Sequence, residues 1–274
     1  MPSKISGYKG NQKKLEMAWG YLMIAPTMLG LLILNIFPIF QTFYLSFTKT
    51  GAFGKSSFIG IQNYVDVLKD KLVMQSFINT FKYTILVVPL GVFLSLIVAV
   101  LLNSKIKGKT IYRTLFFLPV VSAPAAVAMV WRWMFNSKYG LINNFLNTIG
   151  LKGPEWLLQP NSAMIAIVIV GIWSMIGYNM IILLAGLQEI SPTYYEAAEI
   201  DGAGPVTKFF SITLPLVTPT LFFVVITTLI GALQVFDVIY MMIDRKNEVI
   251  PRVQSTVMLF FTYSFERNMK GYGS

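Results

Sequence analysis

The chain has 274 residues, of which 55% are hydrophobic, 14% aromatic and only 12% charged, against roughly 25% charged for a soluble domain. A mean hydropathy of +0.64 argues against a water-soluble fold, and the net charge of +10 lies mostly in connections between apolar runs, which fits membrane-surface loops better than a nucleic-acid site. With no Cys and no His, disulfides, thiolate metal sites and the commonest general base are all excluded.

A spanning helix needs about 20 mostly apolar residues. Five runs meet that requirement, at about 18–47, 83–102, 115–135, 163–187 and 216–242. The first follows Lys4, Lys9, Lys13 and Lys14 and is too long for the apolar region of a signal peptide, so it is read as an uncleaved span, tilted or kinked by Pro26 and Pro38. The basic residues 1–17 place the N-terminus in the cytoplasm by the positive-inside rule. Lys105, Lys107, Lys109 and Arg113, with no acid among them, put the next short connection on the same side. The connection 48–82 carries Lys49, Lys55, Lys69, Lys71 and Lys82 on the opposite side, against the rule, but it is long and counts for less. Connections 48–82 and 136–162 read as surface loops with short helices. No repeat or linker divides the chain, so 1–274 is read as one all-α polytopic membrane domain.

Counting spans puts the polar loop 188–213 in the cytoplasm. There Ser191-Pro192 predicts a capped helix start, and Thr193 to Ile200 two helical turns with little bulk at Ala197 and Ala198. Asp201-Gly202 predicts a stop through left-handed geometry, Gly204-Pro205 a second start, and Leu214-Pro215 an end near the membrane. The outcome is a helix-turn-helix element able to enter a groove on a partner.

Glu196-Ala197-Ala198, two residues, Asp201-Gly202-Ala203, five residues, Phe209, then Ile212-x-Leu214-Pro215 resembles the EAA signature of ABC-importer permeases. Further segments resemble the carbohydrate-uptake branch of that family, the maltose and multiple-sugar type. They are Phe58-Ile59-Gly60-Ile61-Gln62-Asn63-Tyr64, Asn79-Thr80, Leu118-Pro119, Trp131-x-Trp133 and Gly140-Leu141-Ile142-Asn143. Met269-Lys270-Gly271-Tyr272-Gly273-Ser274 is similar, with Lys270 inserted, to a segment of the larger first permease that leads into one more spanning helix; that final helix is expected after position 274.

The resemblance implies a type I ABC importer permease fold in a prokaryotic cell membrane. It implies ATPase coupling through Glu196, Ala197, Ala198, Asp201, Gly202, Ala203 and Phe209. It also implies as partners an ABC ATPase dimer, a second permease subunit, an extracytoplasmic sugar-binding protein and membrane lipid, with no nucleic acid. ATP and Mg would belong to the ATPase, leaving this chain without cofactor, metal or catalysis. The sequence agrees on one point: Gly54-Lys55-Ser56 looks like the end of a phosphate-binding loop, but its first Gly would fall at Lys49.

Uncharged sugars are held by aromatic faces and hydrogen-bonding side chains, which makes Trp173, Ser174 and Tyr178, with Asn179 beside them, candidates in the fourth span. In the fifth, Thr227, Thr228, Gln234 and Asp237 are candidates, the Thr227/Gln234 and Ser174/Tyr178 offsets placing partners on a common face. In related sugar permeases an aromatic position matching Tyr178 lines the cavity. Hydroxyls bonded to their own backbone, and a Trp173 facing lipid or a neighbouring helix, remain equally open readings. Asp237 either serves the path or reaches interfacial water. The expected function is import of an oligosaccharide or polyol. The alternatives are another solute carried by the same machine, or a secondary transporter driven by an ion gradient.

Overall fold

In a hydrocarbon surrounding, every backbone polar group needs an internal partner, and a helix supplies one residue by residue. The computed structural model describes residues 5–50, 56–104 and 106–274, the side chains of 5–11 and 50 excepted. The Lys4, Lys9 and Lys105 side chains, and Gly54-Lys55 of the phosphate-loop look-alike, lie outside the described residues.

The elements run α1 (Ile5–Leu31), α2 (Phe37–Ser46), β1 (Thr48–Thr50), β2 (Ser56–Phe58), α3 (Gln62–Lys69), α4 (Lys71–Asn103), α5 (Lys109–Val121) and α6 (Pro124–Met134). After these come α7 (Leu141–Thr148), α8 (Pro160–Gln188), α9 (Pro192–Ile200), α10 (Pro205–Lys208), α11 (Leu214–Leu233), α12 (Asp237–Met242), α13 (Ile250–Val253), α14 (Thr256–Phe261) and α15 (Lys270–Gly273). Among the described residues four helices are long and apolar enough to cross a membrane, or five if the bent pair α5–α6 is one span.

Four spans differ from expectation. The first is continuous, α1 and α2 being joined by a π-helical turn at Leu32–Ile36 just before Pro38, and none of its apolar window is buried. Proline removes a backbone donor, and a widened turn absorbs the loss without breaking the rod. The second, expected from Tyr83, begins at Lys71, so residues 71–82 are the first turns of α4 rather than part of a surface loop. The third, expected as one helix over 115–135, is two helices bent by 102° at extended Ser122 and Ala123. Pro124 disfavours helical geometry in the residue before it and then starts α6. The fifth stops being continuous helix at Leu233, where Gln234 leaves helical geometry, and resumes as the short α12. The strand pair β1–β2, antiparallel with Thr48 opposite Phe58, was not foreseen.

Two compact units emerge: Met1–Lys69 with Phe260–Ser274, and Asp70–Leu259. In the first, buried Asn63 donates from Nδ2 to the carbonyls of Ser46 (2.8 Å), Thr48 (2.9 Å) and Gly271 (3.1 Å). A Cβ on Gly271 would strike the Thr48 carbonyl oxygen, which explains the glycine in that tail motif.

The second unit is built around α8, which packs against α4, α5 and α11. Lipid tails are as apolar as leucine, so helices here associate through close packing and hydrogen bonds rather than by escape from water. Gly177 lies against the Phe116 backbone, Gly186 against Thr220 and Gly171 against the Tyr83 hydroxyl; a Cβ at any of the three would collide. Val87, Ala163, Ile167, Met180, Leu183 and Val224 are fully buried in the same core.

Asparagines from the motifs hold the connections. Asn79 donates to the carbonyls of Pro251 and Gln254, both at 3.1 Å, and Thr80 Oγ1 accepts the Thr256 N–H at 3.0 Å, tying the segment after α12 to the start of α4. Asn143 donates to the carbonyls of Ser137 (3.2 Å) and Pro154 (3.1 Å) and accepts the Trp156 indole N–H at 2.6 Å. Removing that side chain strands one indole donor and two carbonyls in a partly buried loop. Asn143→Ala should therefore lose about 1–3 kcal/mol of stability, while Asn144→Ala, exposed on the same helix, should be close to neutral. Thermal unfolding of detergent-solubilised protein followed by tryptophan fluorescence checks the pair.

Candidate functional site

Polar side chains along one face of α8 meet α4 and α11 around a cavity of about 320 Å³. Its walls include Tyr83 from α4, Ser174, Tyr178 and Asn179 from α8, and Thr227 and Thr228 from α11. Asn179 is buried and donates from Nδ2 to Thr228 Oγ1 at 3.0 Å, a polar tie between α8 and α11 at the cavity wall. Thr227 instead bonds back to the carbonyls of Phe223 and Val224, the self-satisfying alternative open to any hydroxyl in a helix. Tyr178 is half exposed, its ring available to a guest.

Thus Ser174, Tyr178 and Thr228 line one cavity together with Thr227 and Asn179. Trp173 and Gln234 do not join them. Trp173 sits edge-to-face against Trp131, with ring centroids 5.5 Å apart, and exposed Gln234 ends α11. The polar wall side chain that sequence reasoning missed is Tyr83, whose only signal was a phenol at the start of an apolar run.

A smaller cavity of about 230 Å³ adjoins this one, Ser174 and Val238 lining both. It opens on the α5–α6 break at Ser122 and Pro124 and includes Asp237.

At its C-terminal end α8 passes through Glu189, Ile190 and Ser191 into α9. Pro192 starts α9, but Ser191 makes no capping bond to the backbone; its hydroxyl pairs with that of Thr193 at 2.9 Å. α9 ends as expected at Gly202, whose φ of +75° is left-handed. The Ala203 N–H reaches the Ala198 carbonyl at 2.8 Å and the Gly202 N–H the Glu199 carbonyl at 3.0 Å, the paired bonds of a Schellman stop. The second arm does not end at Leu214-Pro215: α10, a π-helical turn at Phe209–Thr213 and α11 form one continuous helix. Proline there falls in the first turn of α11, where its missing donor is least costly.

The two arms are pinned together. Tyr195 Oη and Thr213 Oγ1 lie 3.0 Å apart, and Lys208 Nζ donates to Glu199 Oε1 at 2.6 Å. The Lys208 ammonium, through that bond and its charge, holds the Glu199 carboxyl below the usual carboxylate range. Glu196, Ala197, Asp201 and Gly202 face outward, while Ala198, Ala203 and Phe209 are partly covered. Ile200, which the motif did not single out, is 88% exposed at the tip of the first arm. Among the described residues no cluster of three metal-ligating side chains occurs.

Long apolar helices, a polar cavity among them and an exposed hairpin joined to two of the cavity helices define a membrane transport subunit. Residues 73–265 match the family described as binding-protein-dependent transport system inner membrane component. The chain is 35% identical over 258 residues to the probable ABC transporter permease protein YesP of Bacillus subtilis, covering 93% of this chain and 83% of that protein. It is 38% identical to the trehalose/maltose transport system permease protein MalF of Thermococcus litoralis (84% and 78% covered). It is also 35% identical to the sn-glycerol-3-phosphate transport system permease protein UgpA of Salmonella typhimurium (89% and 81% covered). In fold it is similar to a chain of a bacterial ABC transporter for the acidic polysaccharide alginate, with a TM-score of 0.85 at 22% identity over 96% of this chain and 90% of that one. The chain belongs to the binding-protein-dependent inner membrane component family, and is therefore a transport subunit and not an enzyme.

The hairpin yields a direct test of its geometry. A side chain at a left-handed position costs about 1–3 kcal/mol, most for a β-branched residue and least for Asn. Gly202→Val should loosen the tip and speed cleavage within 189–205 by proteinase K several-fold, while Gly202→Asn should stay close to the parent rate.

Proposed function

We propose that this chain is the transmembrane permease subunit of an ATP-driven importer whose cargo is a carbohydrate, an oligosaccharide or polyol. The observation that carries the reading is the continuity of α8. The same helix bears Ser174, Tyr178 and Asn179 on the cavity and delivers its end into the exposed hairpin. Hydroxyls, an amide and phenol faces suit a polyhydroxylated guest, and the relative named for trehalose/maltose transport supports that class.

In this reading the hairpin docks in a groove of a separate ATPase. Glu196 offers charge to the partner, Ala197 and Ala198 permit close approach, Asp201, Gly202 and Ala203 set the bend, and Phe209 anchors the second arm. ATP and Mg are held by that ATPase dimer. A second permease completes the pathway, and an extracytoplasmic binding protein delivers the sugar. The N-terminus is cytoplasmic, and residues 1–274 serve as a single transmembrane domain. Each ligand must favour one of two states for ATP closure to drive the cavity from one side to the other.

Uptake of radiolabelled maltose, trehalose and glycerol by vesicles bearing the full transporter tests this. ATP-dependent, ionophore-insensitive accumulation of one of them is expected, falling about tenfold or more in Tyr178→Ala, as loss of one aromatic contact of about 1.4 kcal/mol implies. Glu196→Lys and Gly202→Val should insert normally and lose coupled uptake. Uptake that ignores ATP and collapses with ionophore would favour an ion-driven carrier, and normal uptake in both hairpin variants would remove the hairpin from coupling.

A further inference from the structure

The two adjoining cavities differ in one respect. The larger is lined by neutral groups, whereas Asp237 stands in the smaller, and among the described residues no Lys or Arg lines either. Ser174 and Val238 are common to both walls, so the Tyr178 face and the carboxylate lie on either side of a shared wall. The other polarised features there are the start of α6 at Pro124, which contributes about half a positive charge at most, and the start of the six-residue α12, in whose first turn Asp237 itself lies. A full carboxylate charge outweighs the partial charges of two such short helices, and although Asp237 is exposed, the walls of the cleft focus what remains.

We infer that Asp237 is a specificity-determining residue that makes the path negative. It accepts hydrogen bonds from hydroxyls of neutral sugars or polyols, tolerates amino sugars, and turns away phosphorylated or uronic solutes. The inference rests on reading the larger cavity as the solute path. A carboxylate offers two oxygens to a vicinal diol, the same bidentate geometry that suits it to other paired donors.

The absence of Cys from the chain permits a test that does not depend on knowing the cargo. A single Ser174→Cys thiol, on the wall common to both cavities, is exposed in the purified transporter complex to two methanethiosulfonates. One bears a trimethylammonium group and the other a sulfonate. The thiolate forms a mixed disulfide and methanesulfinate leaves, so mass analysis of this subunit counts the reaction. The cation-to-anion rate ratio at position 174 should exceed that of free 2-mercaptoethanol by about tenfold or more, the effect expected of one charge within about 6 Å in partly screened surroundings.

In Ser174→Cys/Asp237→Asn the ratio should fall to near the free-thiol value, and Asp237→Glu should restore it. If the Asn variant does not assemble, rising ionic strength should lower the ratio in Ser174→Cys alone. A ratio insensitive to both position 237 and salt overturns the inference, as does a thiol that neither reagent reaches. ATP-driven sugar uptake in the parent protein is measured separately. A normal uptake with an insensitive ratio rejects the role of Asp237 alone, whereas lost uptake with a sensitive ratio rejects the transport reading and leaves the field of the cleft in place.

Discussion

The close approach of other helices to α8 is the constraint on which the rest depends. In lipid there is little hydrophobic gain in bringing two apolar helices together, so the gain must come from contact. Gly171, Gly177 and Gly186 remove the side chains that would keep α4, α5 and α11 away, and the Asn179–Thr228 bond fixes α8 to α11 where packing alone leaves a cavity. A rod held on three sides moves as a unit. Tyr178 is about 15 Å from Gln188 at 1.5 Å per residue, and three residues later the exposed hairpin begins. The helix that emerges from the second arm of the hairpin, α11, is the same one that closes the cavity. Under the proposed coupling, displacement of the hairpin reaches the α11 wall through one continuous helix and the α8 wall across the three residues Glu189, Ile190 and Ser191.

The hairpin is stiff for reasons found in its own residues. A Schellman stop at Gly202, an ion pair between Glu199 and Lys208, and the Tyr195–Thr213 hydroxyl contact hold the two arms in one geometry. The exposed ion pair is weak in isolation. Its use here is to fix the angle between arms rather than to stabilise the chain. The π-helical turn at Phe209–Thr213 lets Pro215 enter a continuous helix, which turns a loop with two proline-marked starts into a lever rooted in the membrane.

Much of this was legible in the residues. Apolar run length found every long helix, and the left-handed stop at Gly202 followed from Asp-Gly at the end of two turns. What pattern could not give were the places where backbone geometry departs from the run. Leu115 to Phe135 reads as one apolar segment, and only the effect of Pro124 on Ala123 divides it. The exit of α11 at Gln234 is invisible because apolar residues continue past it, and the tie there comes from far along the chain, the Ser255 hydroxyl donating to the Val235 carbonyl. The same limit applies to the cavity. Ser174 and Tyr178 share a helical face and were found by spacing, whereas Tyr83 reaches the site from another helix and Gln234 is carried out of it by the break. The asparagines of the motifs, read only as family resemblance, prove to be loop clamps: Asn63, Asn79 and Asn143 each bridge backbone carbonyls.

The central claim is that the hairpin is where this subunit meets the motor that drives it. A photo-reactive benzoylphenylalanine placed at Ile200, the most exposed apolar position of the hairpin, tests this in native membranes. The account predicts a covalent adduct whose partner, identified by mass spectrometry, is an ATPase, with none from the same probe at exposed Asn144. An Ile200 adduct formed only with lipid, or with a protein that hydrolyses no nucleotide, would contradict it.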